Sequence, residues 1–221
     1  MLERILQYQL RLILIFFLVL FVSGCETAYY GTMEKLGYHK RDLMVNRVES
    51  ARDAQEDAKE QFESALEKFS SVLQFDGGDL EDKYDQLKTA YDRSSARAQT
   101  VRDRIASVED VAADLFDEWE TELSEYSSDS LRRSSARKLK QTRRQYAQLI
   151  GAMKRAESKM DPVLTAFHDQ VLFLKHNLNA RAIASLQTEL VSVESEVNSL
   201  IKDMNASIKE ADSFIGTMMK E

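Results

Sequence analysis

The sequence predicts an all-α protein, built as an elongated antiparallel coiled-coil-like bundle of four long helices. Apolar residues recur in alternating steps of four and three over long stretches, which is the 3.5-residue repeat of helices that pack along a seam. The 221-residue chain has only one proline and seven glycines, so it is poor in the turns that a β-sheet needs. Three short polar breaks separate the periodic stretches, and short connections join antiparallel neighbours.

The first helix is predicted at residues 32–75. Its apolar repeat is the loosest of the four, and alanine recurs in it, so a neighbouring helix can approach closely. The repeat consists of Met44, Val48, Ala51, Gln55, Ala58, Phe62, Ala65, Phe69 and Val72. The break that follows is Asp76-Gly77-Gly78-Asp79, where glycine suits a left-handed C-terminal cap and Asp79 suits an N-cap.

The second helix is predicted at residues 79–126, with a repeat that does not slip once. The inward positions are Leu80, Tyr84, Leu87, Tyr91, Ser94, Ala98, Val101, Ile105, Val108, Ala112, Leu115 and Trp119. The polar cluster Tyr126-Ser127-Ser128-Asp129-Ser130 can end this helix and cap the next one.

The third and fourth helices are predicted at residues 131–177 and 180–219. The third repeat runs from Leu139 through Thr142 to Phe167 and passes through Pro162 in register, so we expect a kink there and no domain boundary. The break Asn177-Leu178-Asn179 precedes the fourth repeat, which runs from Ile183 through Ser207 to Met218. A three-helix bundle with the first or last helix splayed is the alternative, because facing apolar stripes serve both arrangements.

The N-terminus is predicted to be a lipoprotein signal peptide, residues 1–24. Arg4 and Arg11 give it a positive start, and Leu12–Val22 is its apolar core. Val22-Ser23-Gly24-Cys25 resembles a bacterial lipobox, which implies cleavage between Gly24 and Cys25 and acyl chains such as palmitate on Cys25. A transmembrane anchor is the alternative, but eleven apolar residues give only about 17 Å of helix against about 30 Å of hydrocarbon.

The mature chain is therefore expected to consist of a tether at residues 25–31 and a helical bundle at residues 32–221. Cleavage removes two basic residues and one acidic residue, which takes the net charge from −7 to −8. Glu26 follows the cysteine where inner-membrane retention favours aspartate, so we expect the periplasmic leaflet of the outer membrane rather than the inner membrane. Because Cys25 is the only cysteine, no intramolecular disulfide can form.

Charge is segregated along the middle of the chain. An acidic block, residues 105–129, holds nine acidic residues and no lysine or arginine. A basic block, Arg132–Arg155, holds nine basic residues and no acid. If the chain reverses near Ser128, the two blocks pair internally, which we favour. The alternative is contact with a polyanion through Arg132, Arg133, Arg137, Lys138, Lys140, Arg143 and Arg144.

The sequence predicts no enzymatic activity, no cofactor and no metal site. The histidines are His39, His168 and His176, and the last two are eight positions apart, unlike the i, i+4 spacing of a metal-binding pair. The chain also has no Gly-rich phosphate loop ending in Gly-Lys.

Several stretches resemble an uncharacterised family of proteobacterial lipoproteins that is classed as a domain of unknown function. They are Ala28-Tyr29-Tyr30, Glu34-Lys35, Lys40-Arg41-Asp42, Phe75-Asp76-Gly77-Gly78, Leu115-Phe116-Asp117-Glu118-Trp119 and the stretch from Val171 to Leu186. The resemblance covers nearly the whole mature chain and agrees with the helical prediction, but it implies no activity and no catalytic residues.

These observations favour a lipid-anchored periplasmic scaffold or docking protein of the cell envelope. Its expected partners are a membrane, through the lipid, and a protein partner or a second copy of the chain; no nucleic acid is expected. The alternative is a binding module for an anionic envelope polymer or lipid, acting through Arg132–Arg155.

Overall fold

A computed structural model describes residues 40–73, 80–177 and 180–220 of the chain. They form four helices, α1 Lys40–Leu73, α2 Leu80–Glu122, α3 Asp129–His176 and α4 Ala180–Met218. No strand occurs among these residues, and the predicted all-α class is confirmed. The chain divides into two compact units, Met1–Leu43 and Met44–Glu221. The only described part of the first is the opening of α1, Lys40–Leu43, and the packing below belongs to the second.

The helix ends differ by a few residues from those expected. Residues 32–39 and 74–79 lie outside the described part of the chain. α2 ends at Glu122 instead of residue 126, because the backbone tightens into turns in which Ser124 N donates to Thr121 O at 3.1 Å and Glu125 N to Glu122 O at 3.0 Å. α3 starts at Asp129, two residues early, because Ser128 is its N-cap and accepts from Leu131 N at 3.4 Å.

Side-chain contacts show that neighbouring helices are antiparallel. Between α1 and α2, Asp57 pairs with Arg97 at 3.0 Å. Further along α1, Gln61 Nε2 donates to Ser94 Oγ, which lies earlier on α2, at 3.4 Å. α2 and α3 are antiparallel by the same criterion. Lys154 of α3 pairs with Glu109 of α2 at 2.9 Å, and Asp161, later on α3, pairs with Arg102, earlier on α2, at 2.5 Å.

The fourth helix closes the bundle. Lys159 of α3 pairs with Asp203 of α4 at 2.6 Å. Arg52 of α1 pairs with Asp212 of α4 at 3.1 Å, and Lys59 further along α1 donates to Asn205 at 3.5 Å. Each helix therefore contacts the next, and α4 returns to α1. This is a four-helix bundle, not the three-helix alternative with a splayed helix.

The core follows the predicted register. Phe62, Ile105, Leu149 and Leu200, one from each helix, are fully buried. The polar residues on the predicted stripes are buried too: Gln55, Ser94, Thr142 and Ser207 are at most 1% exposed. Burial of both kinds of residue at these positions confirms the 3.5-residue repeat as the seam of the bundle.

α3 continues through Pro162 as one helix, so no boundary interrupts it there. His176 ends it, and Asn177 caps it, with its backbone N donating to Leu174 O at 3.1 Å and its Nδ2 to Phe173 O at 2.9 Å. Within the described ranges, none of the four helices combines the length and apolarity that crossing a bilayer requires.

Candidate functional site

The predicted lipidation site, Cys25, and the cleavage position at Gly24 lie outside the described residues. The other predicted site, the basic block, lies on α3 and is fully described. α2 and α3 are antiparallel neighbours, so the acidic block does lie against it. The structure therefore bears directly on whether the basic residues are paired internally.

Part of the basic block is paired with the acidic block. Arg143 forms an ion pair with Glu120, and its guanidinium carbon lies 5.2 Å from the centre of the Phe116 ring. Lys154 Nζ lies 2.9 Å from Glu109 Oε2 and 3.2 Å from Glu157 Oε2. The hydrogen bond that Lys154 donates to Glu109 raises the pKa of Lys154 above its ordinary value. These contacts join α2 to α3 with opposite charges, as the internal-pairing interpretation expects.

Two more of the predicted basic residues have partners. Arg132 Nη2 contacts Asp129 Oδ1 at 2.5 Å in the first turn of its own helix, and Lys138 also has an interaction partner. Of the seven predicted polyanion contacts, Arg132, Lys138 and Arg143 are therefore engaged within the protein.

The remaining four residues, Arg133, Arg137, Lys140 and Arg144, are exposed and make no ion pair with any described residue. Their spacing of four, three and four places them on one face of α3, turned away from the buried Leu139 and Thr142. We call these four residues the basic stripe. Internal pairing accounts for one side of the basic block, and the basic stripe is left on its outward side.

A second feature is a groove of about 860 Å³ between α3 and α4, here called the α3–α4 groove. Carboxylates line it on both helices, Asp161 and Asp169 on α3 and Glu189 and Glu196 on α4. Its apolar lining includes Pro162, Phe173, Leu186 and Val193, and no lysine, arginine or histidine occurs among the lining residues whose side chains the structure describes.

Two polar atoms in this groove are buried without a hydrogen bond to any described residue, Gln170 Nε2 and Glu196 Oε2. Gln170 as a whole is only 6% exposed. Buried polar atoms are usually hydrogen-bonded, and one without a partner costs about 1–3 kcal/mol. The wall of the groove therefore contains one unpartnered donor and one unpartnered acceptor beside an apolar surface.

Sequence reasoning did not identify this groove. The one available signal is that Gln170 continues the apolar spacing of Val163 and Phe167, so a polar side chain occupies an inward position. Glu196 gave no signal, because a glutamate beside an apolar seam is ordinary in helical bundles.

The two described histidines do not form a metal site. His168 lies against the ring of Tyr91, with centroids 5.3 Å apart, and its Nδ1 is 3.8 Å from Asp169 Oδ1. His176 is exposed at the end of α3. Over the described ranges, no group of three or more histidine, cysteine, aspartate or glutamate side chains is arranged to hold a metal ion.

The sequence of this bundle matches the model of a known protein family. The model of a family described as "Protein of unknown function (DUF2959)" matches residues 29–218, which contain all four helices. The chain belongs to the DUF2959 family. This confirms the resemblance to a domain of unknown function, while the lipoprotein character remains a prediction. No curated protein and no solved structure matches this DUF2959 chain.

Proposed function

We propose that this DUF2959 protein is a lipid-anchored, non-enzymatic scaffold of the bacterial envelope. In this proposal acyl chains on Cys25 hold it at the periplasmic face of a membrane, the outer membrane in preference to the inner. The helical bundle then docks a protein partner or a second copy of the chain. It uses no cofactor and does not bind nucleic acid.

The continuity of the four helices is the main observation that supports the docking role. They contain 34, 43, 48 and 39 residues, and a 48-residue helix spans about 72 Å. Their apolar stripes pack on one another, so long outward faces remain for contacts with other molecules. A packed bundle with extended outer faces suits a protein that positions partners.

The anchor is supported by sequence alone, and mass spectrometry tests it. Protein extracted from membranes should begin at Cys25 and carry acyl chains, and Cys25→Ser should leave residues 1–24 attached. Ser23→Ala, which keeps a small residue before the cleavage position, should be processed normally. An intact N-terminus with an unmodified thiol would overturn the anchor.

The docking role is tested by photo-cross-linking in cells. A photoreactive amino acid placed at exposed positions along each helix should give discrete adducts at a few adjacent positions on one face. Adducts should disappear when neighbouring exposed residues are changed. Absence of any discrete adduct from all four helices would contradict the docking role.

Binding of an anionic envelope polymer or lipid is the second candidate, and the basic stripe favours it. Met44 is the first residue of α1 in the second unit. Because the helices are antiparallel, it lies toward the end of the bundle where α2 turns into α3. The basic stripe lies toward the same end of the second unit. Basic clusters beside an anchor add about 1 kcal/mol per residue at an anionic surface.

This second candidate predicts that the chain binds vesicles of anionic phospholipid, and that added salt weakens the binding. Arg133→Gln with Arg137→Gln should weaken it, whereas Arg93→Gln with Arg104→Gln, an equal loss of exposed charge on α2, should not. Retention on purified peptidoglycan, tested with the same variants, separates a polymer from a lipid. Equal effects of both variant pairs would count against the basic stripe.

A further inference from the structure

The α3–α4 groove has the composition of a docking surface, with acidic residues around apolar ones. Its carboxylates come from both helices: Asp161, which pairs with Arg102 of α2, is 74% exposed, and Asp169 is 72% exposed. Phe173 is 37% exposed, and Leu172 beside it is 46% exposed. An exposed apolar patch with a polar rim is typical of an interaction site on a protein surface.

The unpartnered atoms point to a peptide occupant. Glu196 Oε2 can accept from a lysine or arginine, and Gln170 Nε2 can donate to a carbonyl or hydroxyl oxygen. A ligand that carries a cation, a hydrogen-bond acceptor and an apolar surface matches the Glu196 carboxylate, the Gln170 amide and the apolar lining together. A basic peptide segment carries all three.

The dimensions favour a helix. The α3 side of the groove runs from Asp161 to Phe173, twelve positions further along, which corresponds to about 18 Å or three helical turns. An amphipathic helix of this length can lay its apolar face between two helices and place basic residues at the rim.

We propose that the α3–α4 groove docks a cationic amphipathic helix of a partner protein. Its apolar side chains lie against Phe173, Leu186 and Val193, and a basic side chain reaches Glu196. The proposal names the surface and the partner chemistry of the docking role above, and it rests on that role.

The chain's own basic stripe does not supply this helix. Between Arg133 and Arg144 the one large apolar side chain is Leu139, which is 5% exposed and faces the core. A second copy offering this surface would match the charge of the groove but leave its apolar lining uncovered. The partner is therefore assigned to a different protein, and self-association becomes an outcome of the test.

The test uses the purified full-length chain in a neutral detergent and a fluorescent 14-residue peptide of leucine and lysine, with leucines in three-four spacing. A photoreactive benzoylphenylalanine replaces Ser192, which is exposed in the groove. The matched control position is Ser213, exposed three heptads further along α4. We expect saturable cross-linking of the peptide at position 192 and little at position 213.

The carboxylates are tested in the same assay. Glu189→Gln with Glu196→Gln should raise the peptide concentration needed for half-maximal cross-linking about tenfold, since a charge-assisted contact is lost. Glu63→Gln with Glu67→Gln, the same loss of charge on exposed positions of α1, should leave it unchanged. Phe173→Ser should also weaken cross-linking. Circular dichroism of each variant confirms that it is folded.

Three results would overturn the proposal: equal cross-linking at the two positions, equal effects of the two glutamine pairs, or a covalent protein dimer at position 192 without peptide. The last would assign the groove to a second copy. Cross-linking at position 192 depends on the groove and not on whether Cys25 carries a lipid. A wrong prediction of the lipid anchor and a wrong prediction of peptide docking are therefore distinguishable.

Discussion

Phe69 of α1 and Phe167 of α3 stack with their ring centroids 4.4 Å apart and their planes 6° from parallel. Phe62, two turns earlier on α1, has its ring centroid 6.3 Å from that of Phe167. α1 and α3 are not sequential neighbours, so these rings meet across the centre of the bundle. Phe167 thus joins the first and third helices directly.

Phe167→Ala should lower the free energy of unfolding by about 3–5 kcal/mol, since it leaves a cavity between two phenyl rings. Urea denaturation followed by circular dichroism measures this loss. Leu131→Ala is the control, because Leu131 is 60% exposed and should change stability by less than about 0.5 kcal/mol. Equal losses in the two variants would show that α1 does not pack on Phe167.

The ion pair between Glu120 and Arg143 should give a small but measurable coupling energy. Both side chains are about half exposed, so a double-mutant cycle with alanine should give about 0.2–1 kcal/mol at low salt. Added salt should reduce it. A cycle of Glu120 with Arg133, which lies ten positions before Arg143 on α3 and so about 15 Å away along the helix, should give a coupling near zero. Zero coupling for Glu120 with Arg143 would contradict internal pairing of the blocks.

Gln55 should be a destabilising residue of the core. It is fully buried, and neither its Oε1 nor its Nε2 has a hydrogen bond to a described residue. Gln55→Met keeps the approximate shape and should raise the free energy of unfolding by about 1–3 kcal/mol. Ser94→Ala is the comparison, since Ser94 Oγ donates to Ala90 O at 2.9 Å and its removal should bring no gain. A loss of stability in Gln55→Met would mean that the amide has a partner in solution.

The fold was predictable because every helix repeats one spacing. Gln55, Ser94 and Ser207 are polar, yet they were placed inward by position alone and are fully buried. Periodicity averages over many residues, so a single polar residue does not obscure it. Helix ends depend on one or two local hydrogen bonds, such as that from Leu131 N to Ser128 Oγ, and were predicted less closely.

The candidate sites were predictable only in part. Arg143 and Arg144 are adjacent in the sequence, yet one pairs with Glu120 and the other faces solvent. Which side of α3 faces α2 depends on the rotation of the helix, and composition does not report it. The groove depends on how closely α3 and α4 approach near Pro162, which is likewise a property of packing.

Stability should fall at alkaline pH. Burial, with a contribution from Glu109, raises the pKa of Tyr146, and the hydrogen bond to Glu109 raises that of Lys154. Both groups hold their protons more tightly in the folded state. Their contributions to the free energy of unfolding are fully present below the pKa values of the unfolded chain, about 10 for tyrosine and 10.4 for lysine. These contributions are lost as the pH rises through the pKa values of the folded protein.

Thermal unfolding measured at pH 8, 10 and 11 should therefore show a melting temperature that falls above about pH 9–10. Tyr146→Phe removes one titrating group and should make the fall shallower, and Lys154→Met should do the same for the other. Tyr126→Phe is the control, because Tyr126 is 40% exposed. Unchanged slopes in the Tyr146 and Lys154 variants would show that these groups titrate alike in the folded and unfolded chain.

Trp119 should report on the hairpin between α2 and α3. It is the only tryptophan of the chain, and its Nε1 donates to Ser135 Oγ on α3 at 2.7 Å. Ser135→Ala removes the acceptor and should cost about 1 kcal/mol, with a shift in tryptophan emission as the indole seeks another partner. Ser134→Ala, which alters the adjacent exposed hydroxyl, should change neither quantity. The ion pair between Glu120 and Arg143 also joins α2 to α3. If the hairpin loosens as a unit, Ser135→Ala should lower the coupling energy of that pair. An unchanged coupling alongside the emission shift would instead confine the effect to the indole.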